Sequence, residues 1–192
     1  MIGISTKKVY TLIGATSHST EERQKDDYYA TEPKAVESLL KVENFNNYIL
    51  EPCCGSGHIS KVLKNHGFNV TSEELFDRGY GNIGVDYFER TSWNGDIITN
   101  PPYKNCLDFI KHSLEIIQPG RKVAMLLRIQ FLESKNRRKF FDESPPIRIH
   151  VFSERILCSK NGEFKPNESK AVCYAWFIWE KGFSGKPVLD WI

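Results

Sequence analysis

Short apolar runs alternate along most of the chain with segments in which apolar residues recur at helical spacing. This spacing predicts helices after Pro33, after Gly57, across Leu107–Ile117 and across Gln130–Phe141. Strands are predicted at Tyr48–Leu50, Phe68–Ser72, Ile83–Val85, Asp96–Thr99, Val123–Leu127, Ile147–Phe152 and Val172–Trp179. Such alternation is typical of an α/β sheet that is mostly parallel. No helical pattern separates the last two strands, which predicts that this final pair is antiparallel.

The beginning of the chain differs in pattern from the rest. Ser17–Asp27 is polar and charged, as in a linker, so we predict an arm over residues 1–27. A single domain is predicted over residues 28–192, because chains rarely split into two domains below about 250 residues.

Charge and cysteine content exclude some classes of protein and leave the partner open. The 26 basic and 24 acidic residues give a formal net charge of +2, so no polybasic field indicates nucleic acid by itself. Five cysteines are an odd number, which favours reduced thiols in a cytosol over a set of disulfides. No apolar run reaches the roughly 18 residues that a membrane-spanning helix needs. We therefore expect a cytoplasmic protein that does not cross a membrane.

The segment Glu51–Gly57 (EPCCGSG) joins a predicted strand to a helix. Glycines at such a junction let a ligand approach the backbone and the helix N-terminus closely. The dinucleotide-binding pattern G-x-G-x-x-G fails, because Ser60 occupies the third glycine position. Glu51 would repel a phosphate directly before the loop but would favour a cationic ligand. The sulfonium and ammonium groups of S-adenosylmethionine fit this requirement.

Acidic residues recur where the next two predicted strands end. Of Glu73 and Glu74, we prefer Glu74 as the acceptor for both ribose hydroxyls, because Leu75 then continues as an apolar anchor. Asp86 can accept a hydrogen bond from an adenine amino group, and Phe88 can cover the adenine face. Each acid alone is equally typical of a solvated loop. Their recurrence at one sheet edge, where open α/β sheets bind ligands, predicts a nucleoside site.

The most specific segment is Asn100–Tyr103 (NPPY), directly after a predicted strand. Its two prolines hold the backbone extended. The Asn100 side-chain oxygen and the Pro101 carbonyl can then both accept hydrogen bonds from one exocyclic amino group. Such a group is a poor nucleophile because its lone pair is delocalised, and two acceptors would direct that lone pair at a methyl group. Tyr103 would stack on the flat substrate, a contact worth roughly 1–3 kcal/mol for a base.

These segments resemble those of amino-group methyltransferases that use S-adenosylmethionine, and most of all the DNA adenine methyltransferases of phages and prophages. Tyr28–Pro33 (YYATEP) resembles the N-terminal cofactor motif of that family, with Glu32 standing between Thr31 and Pro33. The glycine segment and the NPPY segment resemble its cofactor loop and its catalytic motif. The resemblance implies a three-layer, Rossmann-like, seven-stranded methyltransferase sheet with an antiparallel last strand.

The patterns and the resemblance together assign a site and a reaction. Predicted cofactor contacts are Tyr28, Thr31, Glu51, Pro52, Cys53, Gly55, Gly57, Glu74, Asp86 and Phe88. Predicted catalytic residues are Asn100, Pro101, Pro102 and Tyr103. The expected reaction is methyl transfer from S-adenosylmethionine to the amino group of adenine in DNA. Two alternatives stay open: the same chemistry on RNA or on a protein glutamine amide, and a non-catalytic cofactor-binding subunit that serves a partner.

Contacts to nucleic acid are predicted after the catalytic segment. The candidates are Arg128, Lys135, Arg137 and Arg138, because basic residues alternate there with phenylalanines. A solvated helix face backed by core phenylalanines explains the same pattern. Little of the chain remains for a separate target-recognition region, so targeting through a protein partner is a further hypothesis. No metal is expected, because Cys53, Cys54 and His58 lack a second ligand pair at suitable spacing.

Overall fold

Strands and helices alternate through the part of the chain that the computed structural model describes, residues 28–159, 162, 164 and 172–192. The predicted arm of residues 1–27 lies outside this part. The strands are β1 (Ala30–Thr31), β2 (Tyr48–Glu51), β3 (Asn69–Glu74), β4 (Asn82–Ile83), β5 (Asp96–Thr99), β6 (Lys122–Arg128), β7 (Arg148–Val151), β8 (Cys158–Ser159), β9 (Tyr174–Glu180) and β10 (Val188–Trp191). The helices are α1 (Pro33–Val42), α2 (His58–Asn65), α3 (Cys106–Ile116) and α4 (Lys135–Glu143).

Eight of the strands form one sheet, in the order β10-β7-β9-β6-β5-β2-β3-β4. Neighbouring strands are parallel except where β9 pairs antiparallel with β6 and β7. This confirms the α/β class and the reversed strand near the end of the chain. The sequence did not predict β10, which adds an eighth strand beside β7. All four of its residues are exposed, so no buried-strand pattern marks them.

Helices cover both faces of the sheet, because the central strands alternate apolar side chains between two cores. Ile49, Ile98 and Trp176 belong to the core under α1 and α2. Their strand neighbours Leu50 and Ile97 belong to the core under α3 and α4. The protein is therefore three-layered, as predicted.

The element boundaries differ from the predicted ones in two places that matter for the site. The second predicted strand extends through Glu74, so its two glutamates lie within β3 on opposite faces instead of in the loop after it. The predicted helix over 130–141 divides into a 3-10 turn at Ile129–Leu132 and the later helix α4. The turn places the Phe131 side chain in the core.

The short strands β1 and β8 form a separate two-stranded ladder, in which Ala30 pairs with Ser159 and Thr31 with Cys158. Glu32 extends this contact, because its backbone N–H donates to the Leu157 carbonyl and its side chain accepts from the Leu157 N–H. The ladder holds the Tyr28–Pro33 segment near the carboxyl end of β5, as the contacts of Asn100 below demonstrate.

Candidate active site

A cavity of about 610 Å³ opens at the carboxyl ends of β2, β3 and β5. Parallel pairing of β2 with both β3 and β5 brings these strand ends to one edge of the sheet. Eleven of the predicted site residues line the cavity: Tyr28, Thr31, Glu51, Pro52, Cys53, Glu74, Asp86, Phe88, Asn100, Pro101 and Pro102. Gly55, Gly57 and Tyr103 are not part of its lining, and neither are the four predicted nucleic-acid contacts.

Two tyrosines cover the glycine loop closely. Gly55 has a φ of +53° and Gly57 a φ of +81°, and a Cβ at either position would overlap the ring of Tyr28 or Tyr80, respectively. Tyr28 is also bonded to the loop, because its hydroxyl accepts from the Ser56 N–H at 3.1 Å and lies 3.0 Å from the Ser56 hydroxyl. The loop therefore requires glycine both for its backbone conformation and for the approach of the aromatic rings.

Glu51 is a buried carboxylate at the end of β2, with 1% of its surface exposed. Burial raises its pKa to about 8, although the Ser60 hydroxyl donates a hydrogen bond to it. Ser60 lies in turn 2.5 Å from the Ser72 hydroxyl. Ser60, which departs from the dinucleotide-binding pattern, therefore holds the Glu51 carboxylate in place. A nearby cation would favour the ionised form of Glu51.

Glu74 and Glu73 point to opposite sides of β3. Glu74 lines the cavity and accepts a hydrogen bond from the Gly55 N–H at 2.8 Å, which ties it to the glycine loop. Glu73 is outside the cavity lining and is paired with the Arg90 guanidinium. Because strand side chains alternate between faces, only one of the two neighbours can serve this cavity, and the structure places there the one that the sequence preferred.

Asp86 and Phe88 form the side of the cavity next to β4. The Asp86 carboxylate accepts from the Phe88 N–H at 2.9 Å, which fixes the short 3-10 turn Tyr87–Glu89. Phe88 remains 43% exposed, and its ring packs edge-to-face with that of Phe109, with the ring centres 4.9 Å apart. A flat apolar surface thus lies beside a carboxylate, as the nucleoside prediction requires.

Asn100 lies at the carboxyl end of β5 with its side chain fixed by the N-terminal ladder. Its Nδ2 donates to the Tyr29 carbonyl at 3.1 Å and to the Thr31 hydroxyl at 3.0 Å. Its Oδ1 is buried and has no hydrogen-bond partner among the described residues. Two acceptors thus determine which way the amide faces, and an acceptor oxygen is left available. Pro101 and Pro102 follow it in the cavity lining.

Tyr103 packs beside the cavity instead of lining it. Its ring lies 6.2 Å from that of Tyr29 and 6.0 Å from that of Tyr174, and its hydroxyl is 3.8 Å from the Cys158 sulfur. Burial raises its pKa well above the usual range. The Arg128 guanidinium lies 4.8 Å from the ring centre. Stacking of a substrate on Tyr103 stays a prediction.

Helix α4 carries the other predicted nucleic-acid contacts in different environments. Arg137 donates to the backbone carbonyls of Gln130, Phe131 and Glu133, so it fastens the 3-10 turn. Arg138 is exposed and paired with Asp142 one turn later, while Lys135 is exposed. Phe131 and Phe140 are buried beneath them. Much of the basic and aromatic pattern therefore serves packing, which is the alternative that the sequence left open.

Sequence reasoning missed several residues that line the cavity or support a residue that does. Tyr29 contributes through its backbone carbonyl, which no sequence pattern reveals. Ser60 was detectable, since it stands on the first turn after the glycine loop and faces back toward Glu51. His58 lines the cavity, and its Nδ1 is buried without a partner among the described residues. Burial and the charge of Lys61 lower its pKa.

Burial disfavours the thiolate form of the two adjacent cysteines of the glycine loop. Burial raises the pKa of Cys54 to about 12 and raises that of Cys53 well above its ordinary value. The described residues contain no cluster of three or more histidine, cysteine or acidic side chains that would hold a metal ion. Within the same residues, no helix is both long and apolar enough to cross a membrane.

Comparison with solved structures identifies the fold. A proposed RNA methyltransferase from Pyrococcus horikoshii aligns over 94% of this chain and 100% of its own, with a TM-score of 0.58 and 14% identity. The modification subunit of a proposed type I restriction enzyme from Vibrio vulnificus aligns over 85% of this chain and 47% of its own, with a TM-score of 0.57 and 14% identity.

A proposed class I S-adenosylmethionine-dependent methyltransferase from Listeria monocytogenes aligns over 83% of this chain and 62% of its own, with a TM-score of 0.50 and 13% identity. No protein-family model matches the sequence, and no curated protein matches it significantly. At these identities the likeness concerns the fold alone. The chain has the fold of the S-adenosylmethionine-dependent methyltransferases.

Proposed function

We propose that this protein transfers a methyl group from S-adenosylmethionine to an exocyclic amino group, and that the acceptor is adenine in DNA. The observation that carries the proposal is the state of Asn100. Its amide nitrogen is bonded to Tyr29 and Thr31, and its buried oxygen has no partner among the described residues. A buried hydrogen-bond acceptor without a partner costs free energy. An amino group of the substrate that donates to this oxygen would remove that cost.

The chemistry of the cavity suits S-adenosylmethionine. Glu51 is a buried carboxylate whose pKa is about 8, so a sulfonium or ammonium group nearby would restore its charge. Glu74 and Asp86 offer acceptors for hydroxyl and amino groups, and Phe88 offers a flat surface. When bound, the cofactor would supply an electrophilic methyl group. We assign Tyr28, Thr31, Pro52, Cys53, Gly55 and Gly57 to the same binding region as part of this proposal.

The role of the catalytic segment follows from hydrogen-bond direction. Asn100 Oδ1 and the Pro101 carbonyl would each accept one N–H of the amino group, which turns the nitrogen lone pair out of the plane of the base. The nitrogen would then form a bond to the methyl carbon of S-adenosylmethionine while the carbon–sulfur bond breaks and S-adenosylhomocysteine leaves. The methylated nitrogen would afterwards release one proton to water. Pro102 keeps the backbone from relaxing. No strong general base is needed, because the proton leaves from a nitrogen that already bears a positive charge.

DNA is the preferred acceptor for two reasons. Tyr28–Pro33 resembles the N-terminal motif of DNA adenine methyltransferases, and the Vibrio vulnificus neighbour is named as a modification subunit of a restriction enzyme. Exposed Lys135 and Arg138 are proposed phosphate contacts. A duplex target would have to be flipped out of its stack, at a cost of a few kcal/mol. A protein partner that selects the target belongs to the same proposal.

RNA is the second candidate, because the Pyrococcus horikoshii neighbour is named as an RNA methyltransferase and aligns over its entire length. The catalytic segment would act in the same way on an adenine in RNA. The labelling experiment below distinguishes DNA from RNA as the substrate.

Transfer of tritium from methyl-labelled S-adenosylmethionine tests the proposal. Unmethylated duplex DNA, single-stranded DNA, total RNA and cell protein would be offered in parallel, and any labelled acceptor would be hydrolysed and identified. We expect label in methyladenine from DNA. An Asn100→Ala variant should bind the cofactor and lose transfer. Label in RNA or protein would overturn the choice of DNA. If the cofactor binds and no acceptor is labelled in any preparation, including a cell extract that contains partners, the enzymatic proposal is wrong.

A further inference from the structure

Arg128 stands at the carboxyl end of β6, directly beside the strand that delivers Asn100. β6 pairs in parallel with β5, with Met125 opposite Thr99. The Arg128 guanidinium carbon lies 4.8 Å from the centre of the Tyr103 ring. The cation therefore lies next to the catalytic segment but outside the lining of the cofactor cavity.

The guanidinium of Arg128 has no anionic partner within the described part of the chain. Its Nε is buried and has no hydrogen-bond acceptor among the described residues. Two arginines that stabilise the fold have such partners: Arg137 donates to three backbone carbonyls, and Arg90 is paired with Glu73. The fold thus supplies acceptors where a guanidinium stabilises the protein.

A partly buried cation without an acceptor is unfavourable unless an external anion completes it. The contact with Tyr103 places the guanidinium carbon 4.8 Å from the ring centre, and the N–H groups of the guanidinium, among them the unpartnered Nε–H, are its hydrogen-bond donors. Those donors match the spacing of two phosphate oxygens. The arrangement is that of an anion-binding arginine held in orientation by an aromatic ring.

The position of Arg128 narrows the choice of anion. The carboxylate of the cofactor would lie in the cavity, which Arg128 does not line. A protein glutamine carries no charge beside its amide. An adenine whose amino group reaches Asn100 brings its own phosphodiester backbone with it, and the adjacent strand end is where that backbone would pass.

We infer that Arg128 binds one phosphate of the strand that carries the target base, so the substrate class of this site is a nucleic acid chain. The inference rests on the proposed function and extends it, because it separates a polymer of phosphodiesters from a protein amide. Arg128 would act as a positioning residue, since it holds the backbone while Asn100 contacts the amino group.

The first test compares Arg128→Gln and Arg128→Lys with Arg121→Gln, a variant with the same loss of charge before the opposite end of β6. We expect Arg128→Gln to raise the KM for the DNA about tenfold with little change in kcat or in cofactor affinity, as for loss of a charge-assisted hydrogen bond. In Arg128→Gln, the slope of the logarithm of the DNA-binding constant against the logarithm of the salt concentration should be smaller in magnitude by about one. Arg128→Lys should recover part of the affinity, and Arg121→Gln should match the wild type.

The second test changes the substrate, so its wild-type measurements do not depend on the folding of a variant. Once the methylated adenine has been mapped, oligonucleotides are made with one neutral methylphosphonate at each phosphate around it. For the wild type, one position should raise KM about as much as Arg128→Gln does. In Arg128→Gln, the same substitution should have no further effect, because the two changes remove one contact.

The outcomes separate this inference from the proposed function. If methyladenine forms but each methylphosphonate affects wild type and Arg128→Gln equally, the Arg128 inference is wrong and the enzymatic proposal stands. If label appears only in protein, both the choice of DNA and the role of Arg128 are overturned. If cofactor affinity falls in Arg128→Gln while the KM for DNA is unchanged, Arg128 serves the cofactor and the inference is wrong.

Discussion

The Thr31 hydroxyl lies 3.0 Å from the amide nitrogen of Asn100, although 69 residues separate them in the chain. Thr31 belongs to the β1–β8 ladder, and Asn100 follows β5 in the central sheet. The hydrogen bond therefore joins the small ladder to the catalytic segment. The sequence predicted Thr31 as a cofactor contact, and the geometry adds a second role, because Thr31 orients the amide whose oxygen would meet the substrate.

Replacement of Thr31 by alanine should reduce kcat. Loss of one neutral hydrogen bond costs roughly 0.5–1.5 kcal/mol, which corresponds to about a 2- to 13-fold decrease. The amide would retain its bond to the Tyr29 carbonyl, so it should be less well oriented but not free. Steady-state methylation kinetics measure the effect.

Thr31→Ser is the matched control, because it keeps the hydroxyl. It should retain most of the wild-type kcat. If alanine and serine reduce kcat equally, or if alanine raises only the KM for the cofactor, Thr31 serves the cofactor and does not orient Asn100.

Cofactor binding should depend on pH through Glu51. The pKa of this buried carboxyl is about 8 in the free protein, and a cationic ligand requires its ionised form. Affinity for S-adenosylmethionine should therefore increase about tenfold between pH 7 and pH 9 and level off above. Titration calorimetry across this range measures it. Glu51→Gln should bind more weakly and with little pH dependence; a parallel pH dependence in this variant would contradict the assignment.

Glu51 also affects the stability of the free protein in the opposite sense. Its pKa is raised from 4.5 to about 8, so its contribution to stability is fully present below pH 4.5 and is lost as pH rises through about 8. The unfolding free energy of the wild type should decrease over this window relative to that of Glu51→Gln. Urea unfolding at several pH values provides the measurement.

Gly57 should be required for cofactor binding for a second reason besides its backbone conformation, namely the close approach of the Tyr80 ring. Gly57 and Gly67 both have positive φ, +81° and +87°, but a Cβ meets the Tyr80 ring at Gly57 and open space at Gly67. Alanine at either position should cost roughly 1 kcal/mol or more in strain. Gly57→Ala alone should also displace Tyr80 and weaken the cofactor affinity. Equal affinities in the two variants would show that the close approach of Tyr80 is unimportant.

Glu43 should be a main source of acid sensitivity. Its buried carboxylate accepts from Lys122, Arg148 and His150, at the opposite end of the sheet from the cavity. Burial acts to raise its pKa, but the hydrogen bonds from these partners lower it to about 2. Its stabilising contribution is therefore present above pH 4.5 and is lost as pH falls through about 2.

At neutral pH, Glu43→Gln should reduce the unfolding free energy by about 1–3 kcal/mol, because it removes the buried negative charge with which Lys122 and the more exposed Arg148 are paired. Its unfolding free energy should also change less than that of the wild type between pH 5 and pH 3. The control is Glu37→Gln, which removes an exposed pair with His66 and should cost below about 1 kcal/mol. Similar losses in both variants would contradict the central role of Glu43.

Most secondary-structure elements and the order of the site residues along the chain could be derived from the residues alone, although β10 and the division of the helix over 130–141 could not. Apolar periodicity predicted the helices that contain Val36 and Ile59 and the strand Asp96–Thr99. This is possible because burial of side chains in helices and strands repeats at a fixed spacing along the chain. The glycine loop and the NPPY segment were readable because backbone conformation there depends on the residue type itself. Strand alternation then indicated which strand ends share an edge.

The tertiary structure, and not the residue pattern, determined which side chains already have hydrogen-bond or ion-pair partners within the protein. Arg137 matched a nucleic-acid pattern, yet it fastens the 3-10 turn, while Arg128 in the same pattern has no acceptor among the described residues. Ser60 counted against one kind of loop and proves to hold Glu51. Hydrogen bonds across many residues depend on how the ladder, sheet and turns pack together. A local pattern records the residue type, whereas the partner is set by three-dimensional proximity.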